Sequence, residues 1–239
     1  MQSTKIIAHR GSSAYRMDNT MPAFELAITQ KADAIELDVQ MTKDGALVLL
    51  HDETVDHAWV GSGAVKDLTY AQLRAMRPRA FPEDAQAYIT TLDEVLAFFA
   101  PHSLDVIIEL KNSIDLFAGM EDKIVALVKR FGMEERVFYT SFNHISLQTI
   151  RTIDPKTRIG LQYRDILAKP WSYAKSLGAY AILPARNSLW IPNLVRDSHE
   201  HGIAVYFWSI NDKASMRFCM EQQADGIMTK APDVARSLV

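Results

Sequence analysis

The stretch Ile35–Asp52, IELDVQMTKDGALVLLHD, decides the fold and carries the first chemical signal in the chain. Its first part alternates apolar residues with two acids, Glu36 and Asp38, and this period of two predicts a β-strand. The alternation places both acids on one face of the strand. Because a buried carboxylate needs a cation or a basic partner, two on one face indicate a metal site or an ion-pair site.

The chain turns back directly after this strand. Lys43, Asp44 and Gly45 form a tight-turn signal, and a second apolar run, Ala46–Leu50, follows it. A connection this short cannot hold a helical crossover, so the two strands are predicted to be antiparallel. The turn also returns His51 to the neighbourhood of the acids, which favours a metal site with a histidine beside it.

Short apolar runs alternate with amphipathic stretches along most of the chain, a pattern typical of repeated βα units. The predicted strands are Lys5–His9, Ala34–Val39, Ala46–His51, Leu104–Leu110, Arg136–Thr140, Arg158–Gln162, Ala179–Pro184, Ile203–Trp208 and Asp225–Met228. The predicted helices are Met21–Gln30, Tyr70–Met76, Leu92–Ala100, Leu116–Phe131, His144–Ile153, Ala168–Leu177, Ile191–His201, Lys213–Gln222 and Pro232–Leu238. The segments Ser141–Asn143 and Asn211–Asp212 supply cap residues for two of these helices.

Residues 44–91 interrupt the alternation and are interpreted as an insertion after the second strand. With this insertion set aside, eight strands remain and each is followed by a helix, which predicts an α/β fold of the (β/α)8 (TIM) barrel type. An open, doubly wound sheet is the alternative, but no glycine-rich phosphate loop follows the first strand. We therefore expect one domain over residues 1–239, with a small lobe at about 44–91 on the barrel rim.

The composition is that of an ordinary globular protein and excludes several classes of function. Hydrophobic residues make up 48% of the 239 residues and charged residues 23%, which suits a large core. A net charge of −3 argues against a general binder of nucleic acid. The single cysteine, Cys219, excludes an internal disulfide and a cysteine-rich zinc site. With no signal peptide and no apolar run of membrane-spanning length, a cytoplasmic protein without stable membrane insertion is expected.

Polar residues gather at the C-terminal ends of the predicted strands, where (β/α)8 barrels hold their active sites. The first three barrel strands contribute two ionisable residues each: His9 and Arg10, Glu36 and Asp38, Glu109 and Lys111. Later strand ends contribute Ser141, Asn143, Gln162, Pro184, Trp208 and Asn211. We expect Gln162, Trp208 and Asn211 to line the pocket or to support the ionisable residues.

Three acids at one barrel mouth repel one another unless a cation lies between them. Oxygen ligands without cysteine favour Mg²⁺ or Ca²⁺ over Zn²⁺. Arg10 and Lys111 supply positive charge for a bound anion, and His9 and His51 are of the residue type suited to proton transfer near neutrality. Each residue alone has a simpler structural explanation. For example, Lys111 is spaced to form an ion pair with Glu109. The combination indicates phosphoryl-ester chemistry.

Several segments match the pattern of one enzyme family. In the first third these are His9-Arg10-Gly11, Asp18-Asn19-Thr20, Ala23-Phe24, Glu36-Leu37-Asp38-Val39-Gln40, Thr42-Lys43-Asp44-Gly45 and His51-Asp52. Later matches are Gly61–Leu73, Thr91–Leu96, Ile108–Lys111, Ser141-Phe142, Trp208–Asn211 and Ala224–Thr229. On these segments the sequence resembles the glycerophosphodiester phosphodiesterases, of the PLC-like phosphodiesterase TIM-barrel superfamily, over essentially its whole length.

The resemblance implies hydrolysis of glycerophosphodiesters, such as glycerophosphocholine or glycerophosphoethanolamine, to sn-glycerol 3-phosphate and an alcohol. The implied partner is a small-molecule substrate, and the implied role of the enzyme is in lipid and glycerol metabolism. The roles carried over are metal ligation for Glu36, Asp38 and Glu109, general acid–base catalysis for His9 and His51, and phosphate binding for Arg10 and Lys111. The cofactor implied is a divalent cation, Mg²⁺ or Ca²⁺, with Mn²⁺ as a further option.

The sequence departs from the family pattern at three places. Asp18 stands where the family usually has glutamate, which makes it a candidate pocket residue with a shorter side chain. Lys230 replaces an acid near the C-terminus, and His57-Ala58-Trp59 occupies the region of a usual Arg-Thr-Thr segment. None of these changes removes a predicted metal ligand or catalytic histidine, so they concern the choice of substrate.

Two other classes of function fit parts of the sequence. A phospholipase-like enzyme acting on lysolipids would use an apolar rim, for which Trp59, Trp190 and the Ala80-Phe81 loop are candidates. A non-catalytic phosphodiester-binding module would keep the fold, but the intact histidines and acids argue against it. No pattern in the sequence predicts the oligomeric state.

Overall fold

The computed structural model describes residues 4–239 and contains one nine-stranded sheet. Its strands are β1 (Lys5–His9), β2 (Ala34–Met41), β3 (Leu47–Leu49), β4 (Asp105–Leu110), β5 (Val137–Ser141), β6 (Arg158–Tyr163), β7 (Ala181–Pro184), β8 (Ala204–Phe207) and β9 (Gly226–Thr229). Hydrogen-bonded neighbours follow the order β1-β9-β8-β7-β6-β5-β4-β2, and β1 also pairs with β2. These pairings are all parallel, so eight strands close into the predicted (β/α)8 barrel.

The helices are α1 (Met21–Thr29), α2 (Tyr70–Arg74), α3 (Leu92–Phe99), α4 (Met120–Arg130), α5 (His144–Ile153), α6 (Pro170–Ser176), α7 (Leu194–Glu200), α8 (Lys213–Glu221) and α9 (Pro232–Arg236). Three of them, α4, α6 and α7, begin later than predicted. The residue before each has a left-handed φ: 74° at Gly119, 56° at Lys169 and 60° at Asn193. Such a residue cannot continue a right-handed helix.

Among residues 4–239, no helix combines the length and apolar character that a membrane span requires.

β3 runs antiparallel to β2, with Leu49 opposite Val39, as the tight turn predicts. In that turn Gly45 has a φ of 80° and its N–H donates to the carbonyl of Thr42 at 2.9 Å. Glycine adopts this conformation without the steric cost that a side chain would add. The strand is shorter than predicted, and the chain leaves it at Leu50 to enter the inserted lobe.

The lobe after β3 has an apolar core of its own. Trp59 and Leu73 are fully buried in it beside Val48 of β3. The prediction that Trp59 forms part of an exposed apolar rim is therefore wrong, because these neighbours leave it only 2% exposed. Trp190 is 67% exposed, whereas Phe81 is half-buried against the lobe core. The extent of the lobe and the single-domain organisation stay predictions.

Alternation along β2 separates the apolar core from the polar mouth. Ile35 and Leu37 face outward and are buried in the layer between strands and helices. Ala34 faces inward, among the apolar residues that fill the barrel interior. Glu36 and Asp38 continue this inward face toward the C-terminal end of the strand. The barrel therefore has an apolar lower interior and an ionisable upper one.

Candidate active site

Three carboxylates converge at the C-terminal end of the barrel. Glu36 and Asp38 lie on the inward face of β2, and Glu109 lies opposite Asp38 on the neighbouring β4. Each offers an oxygen atom within 4.8 Å of those of the other two, and all three residues are buried. The cluster arises because residues in register on the same face of paired strands are neighbours.

Asp38 has the largest number of partners among the three acids. Its Oδ2 accepts a hydrogen bond from Asn19 Nδ2 at 2.9 Å and lies 3.0 Å from Arg10 Nε. Asn19 Oδ1 accepts from the N–H of Asp38 at 3.1 Å, so one amide side chain contacts both its backbone and its carboxylate. Burial acts to raise the pKa of Asp38, but the charges of Arg10 and Lys111 outweigh it and lower this pKa to about 2.

The two glutamates ionise less readily than Asp38. Burial and the negative charge of Asp38 raise the pKa of Glu36 and that of Glu109. Glu36 Oε2 accepts a hydrogen bond from the N–H of Arg10 at 3.0 Å, and Glu109 Oε1 accepts one from Lys111 Nζ at 3.0 Å. Two cations thus face three acids in a buried cluster.

The donor set of this cluster fits a hard divalent cation. Glu36 Oε1 and Asp38 Oδ1 are buried without a hydrogen-bond partner among residues 4–239. Carboxylate oxygens are costly to bury in that state, and a bound cation would satisfy them. The acids offer only oxygen ligands, which favours Mg²⁺ or Ca²⁺ over Zn²⁺. The identity of the ion stays a prediction.

His9 ends β1 and is buried beside the acids. Its Nε2 lies 3.8 Å from Glu36 Oε2, and its Nδ1 has no hydrogen-bond partner within the described residues. Burial and the positive charge of Arg10 lower the pKa of His9 to about 3, so the imidazole is neutral in this environment. His51 also contributes to this lowering, which places its charge within electrostatic reach of His9.

His51 lies on the loop that follows β3. Its Nδ1 donates to Asp52 Oδ1 at 2.6 Å, which leaves Nε2 free to exchange a proton with a ligand. Gln40 holds this loop from the end of β2. Its Nε2 donates to the carbonyl of Leu50 at 2.9 Å and to that of Asp52 at 2.7 Å, on either side of His51.

Two of the predicted pocket residues contact members of the ionisable cluster. Asp18 Oδ2 accepts a hydrogen bond from Arg10 Nη1 at 3.1 Å. Gln162, buried on β6, donates from Nε2 to Glu109 Oε2 at 2.9 Å. Both side chains therefore orient a charged partner at the mouth.

The other two predicted pocket residues hold backbone groups at the rim. Trp208 Nε1 donates to the carbonyl of Leu183 at 2.8 Å. Asn211 Oδ1 accepts from the N–H of Lys230 at 2.9 Å. The structure brings neither side chain into hydrogen-bond contact with the three acids.

Asn19 and Gln40 lie within the segments that match the family pattern, but the sequence pattern assigns a role to neither of them. The signal for Gln40 was present, since the alternation that links Glu36 and Asp38 places Gln40 on the same face. Asn19 has a left-handed φ of 56°, a conformation that asparagine tolerates better than most residues. Its contact with Asp38 depends on the fold and could not be read from local sequence.

The fold and the site together define the class, a (β/α)8-barrel enzyme whose acids, histidines and cations meet at the C-terminal mouth. The sequence matches the model of the glycerophosphoryl diester phosphodiesterase family over residues 9–234. The chain belongs to this family. A glycerophosphodiester phosphodiesterase from Caldanaerobacter subterraneus subsp. tengcongensis is 39% identical over 238 residues, covering 99% of this chain and 98% of that protein.

Two solved structures share the architecture. A glycerophosphodiester phosphodiesterase from Agrobacterium tumefaciens str. C58 is 29% identical, with a TM-score of 0.86 over 98% of this chain and 99% of that chain. An Oleispira antarctica phosphodiesterase, solved in complex with the product sn-glycerol-3-phosphate, has a TM-score of 0.87 at 23% identity, covering 98% of this chain and 96% of that one. At that level of identity, the second likeness shows the fold alone.

Proposed function

We propose that the protein hydrolyses glycerophosphodiesters, such as glycerophosphocholine and glycerophosphoethanolamine, to sn-glycerol 3-phosphate and an alcohol. Family membership and the whole-length relative of that name support the reaction. The Oleispira antarctica neighbour supports only the barrel fold that carries the site. The observation that carries the proposal is the buried cluster of Glu36, Asp38 and Glu109, with oxygens within 4.8 Å of one another and His9 beside them.

Glu36, Asp38 and Glu109 would hold a divalent cation, Mg²⁺ or Ca²⁺, with Mn²⁺ as a further option. When bound, this cation polarises the phosphate and neutralises part of its negative charge. The buried oxygens of Glu36 and Asp38 that accept no hydrogen bond within residues 4–239 support this role. Gln162, at 2.9 Å from Glu109, keeps one ligand oriented.

Arg10 and Lys111 bind the phosphate oxygens in this scheme. Arg10 Nε lies 3.0 Å from Asp38 Oδ2, and Lys111 Nζ lies 3.0 Å from Glu109 Oε1. These contacts fix both cations at the edge of the acid cluster. Each side chain has further N–H donors, and hydrogen bonds from charged donors to phosphate are strong.

His9 and His51 move the protons. One imidazole accepts the proton of the attacking hydroxyl, and the other donates a proton to the departing alkoxide. The attacking hydroxyl belongs to water, or to the substrate itself when a cyclic phosphate forms first. Asp52, bonded to His51 at 2.6 Å, fixes the orientation of that ring and its tautomer.

A panel of substrates tests the proposal. The purified protein is treated with a chelator, given back Mg²⁺, Ca²⁺ or Mn²⁺, and assayed for sn-glycerol 3-phosphate on several deacylated diesters. We expect product only when a divalent cation has been restored. Head-group release from lysolipid micelles without turnover of glycerophosphocholine would contradict the proposal, and so would tight binding of a diester without any product.

A further inference from the structure

Lys230 follows β9 at the barrel mouth, next to His9. The register between β1 and β9 ends with Ala8 opposite Thr229, so each chain continues by one residue to His9 and to Lys230. Met228 faces the barrel interior, and the same alternation turns the residue two positions later toward the mouth. After burial and Arg10, Lys230 is among the groups whose charge lowers the pKa of His9, so its ammonium is within electrostatic reach of the site.

The backbone of Lys230 is held at both of its polar groups. Its N–H donates to Asn211 Oδ1 at 2.9 Å, and its carbonyl accepts from the N–H of Ala14 at 2.9 Å. A cation on a fixed backbone loses less freedom when it binds a ligand than one on a mobile loop. The base of this side chain is therefore fixed beside the site while its ammonium end is exposed.

The ammonium of Lys230 differs from the two cations beside the acids, Arg10 and Lys111. Arg10 is paired with Asp38 at 3.0 Å and with Asp18 at 3.1 Å, and Lys111 with Glu109 at 3.0 Å. Lys230 makes no ion pair with any residue between 4 and 239. Its positive charge is thus available to an anion that the protein itself does not supply.

The order of the strands sets where that anion would be. β9, β1, β2 and β4 are successive neighbours around the barrel, so Lys230 lies on the opposite side of His9 from the three acids. A diester whose phosphate lies at the acids, Arg10 and Lys111 has one arm that crosses His9 toward Lys230. A negative group on that arm would reach the unpaired ammonium.

We propose that Lys230 selects glycerophosphodiesters whose alcohol carries a further anionic group, of which a carboxylate is the simplest. The inference rests on the proposed function and deepens it, because it names the substrate class that the mouth favours. The preference is modest, since ion pairs with an exposed partner contribute little and are screened by salt. It corresponds to a kcat/KM about threefold to fivefold higher for a diester with the anionic group than for the same diester without it.

Glycerophosphoserine and glycerophosphoethanolamine make a matched test, since they differ by one carboxylate. The wild-type protein should have the higher kcat/KM for the serine diester, and Lys230→Met should lower the serine-to-ethanolamine ratio about threefold to fivefold. Lys230→Glu should lower the ratio further, because it reverses the charge. Lys175→Met, an exposed lysine in the last turn of α6 and so at the opposite end of the barrel, is the control and should leave the ratio unchanged.

An unchanged ratio in Lys230→Met, including an equal loss on both diesters, would overturn the inference, because Lys230 would then act on the shared phosphate or on nothing. Raising the salt concentration should shrink the wild-type ratio and leave that of Lys230→Met unchanged. Absence of sn-glycerol 3-phosphate from every diester would instead refute the proposed function. In that case calorimetric affinities of the two diesters for wild type and Lys230→Met still decide the role of Lys230.

Discussion

At the scale of single residues, two side-chain amides hold the groups proposed to act in catalysis. Asn19 contacts Asp38 and Gln40 contacts the loop of His51, and both amides are almost fully buried. The acids and His9 could be predicted because alternation and strand ends place them on one face. The same alternation places Gln40 on the face of Glu36 and Asp38, but the contacts of the two amides could not be predicted. Their partners lie far along the chain, as Asp38 does at 19 positions from Asn19.

Replacing either histidine should remove a proton-transfer group. We expect His9→Ala and His51→Ala each to lower kcat for glycerophosphocholine by about 10²- to 10⁴-fold. The measurement is a steady-state assay of sn-glycerol 3-phosphate, with circular dichroism to verify folding. His201→Ala, an exposed histidine at the C-terminal end of α7, is the matched control and should retain normal turnover. Near-normal kcat in a folded His51→Ala protein would contradict the catalytic scheme.

Gln40→Met should displace His51 without touching the acids. The change removes the donor that holds the carbonyls of Leu50 and Asp52, and small misplacements of a catalytic group cost up to about 10²-fold. We therefore expect kcat to fall with little change in KM, since the residues proposed to bind phosphate remain. Gln86→Met, at an exposed position of the lobe, is the control. A loss confined to KM would show that Gln40 acts on substrate binding instead.

At the scale of elements, sequence patterns predicted all nine strands and all nine α-helices of residues 4–239, with differences only at their ends, but none of the three short 3-10 helices. The predicted caps were confirmed at Asn143 and Asp212, whose side chains accept from the N–H groups of Ser146 and Ser215. Periodicity could not place the starts of α4, α6 and α7. Those starts depend on left-handed residues. Gly119 and Asn193 are of types that tolerate this conformation, whereas Lys169 is not.

The capping box of α3 should contribute measurably to stability. Thr91 Oγ1 accepts from the N–H of Glu94 at 3.2 Å, and Glu94 Oε2 accepts from the N–H of Thr91 at 2.9 Å. Thr91→Ala removes one of these bonds and should lower the free energy of unfolding by about 1 kcal/mol. Urea denaturation measures the change. Thr152→Ala, on the exposed surface of α5, should cost at most about 0.5 kcal/mol, and equal losses at both sites would argue against the cap.

The same capping box makes stability depend on pH through Glu94. Burial acts to raise its pKa, but hydrogen bonds from Thr91 outweigh burial and lower the pKa below its ordinary value of 4.5. A lowered pKa in the folded state stabilises the fold above pH 4.5, and this contribution is lost as the pH falls through the folded-state pKa. The free energy of unfolding of Glu94→Gln should therefore change less between pH 7 and pH 3 than that of the wild type. Identical pH profiles would contradict this assignment.

At the scale of the whole molecule, the barrel gathers its buried charge at one end. The lower interior holds apolar side chains such as Ile107 and Met228, whereas the mouth holds three acids and two paired cations. Closing the sheet brings β1 beside β2, which places His9 against Glu36 although they are 27 positions apart in the chain. The same closure concentrates negative charge where water is largely excluded, so the fold itself should respond to a cation.

A divalent cation should therefore stabilise the folded protein as well as support its activity. A ligand that binds only the folded state at 100 times its Kd adds about 2.7 kcal/mol, which for a chain of this size raises Tm by about 5–10 °C. Differential scanning fluorimetry with Mg²⁺ or Ca²⁺ after chelation measures the rise, with NaCl at equal ionic strength as the blank.

Asp38→Asn should abolish most of the rise in Tm, because that variant removes a central carboxylate while keeping the size of the side chain. Glu134→Gln, an exposed acid far along the chain, should keep the full rise. If Asp38→Asn and Glu134→Gln responded alike, the cation would be acting on the surface and the buried cluster would have another purpose.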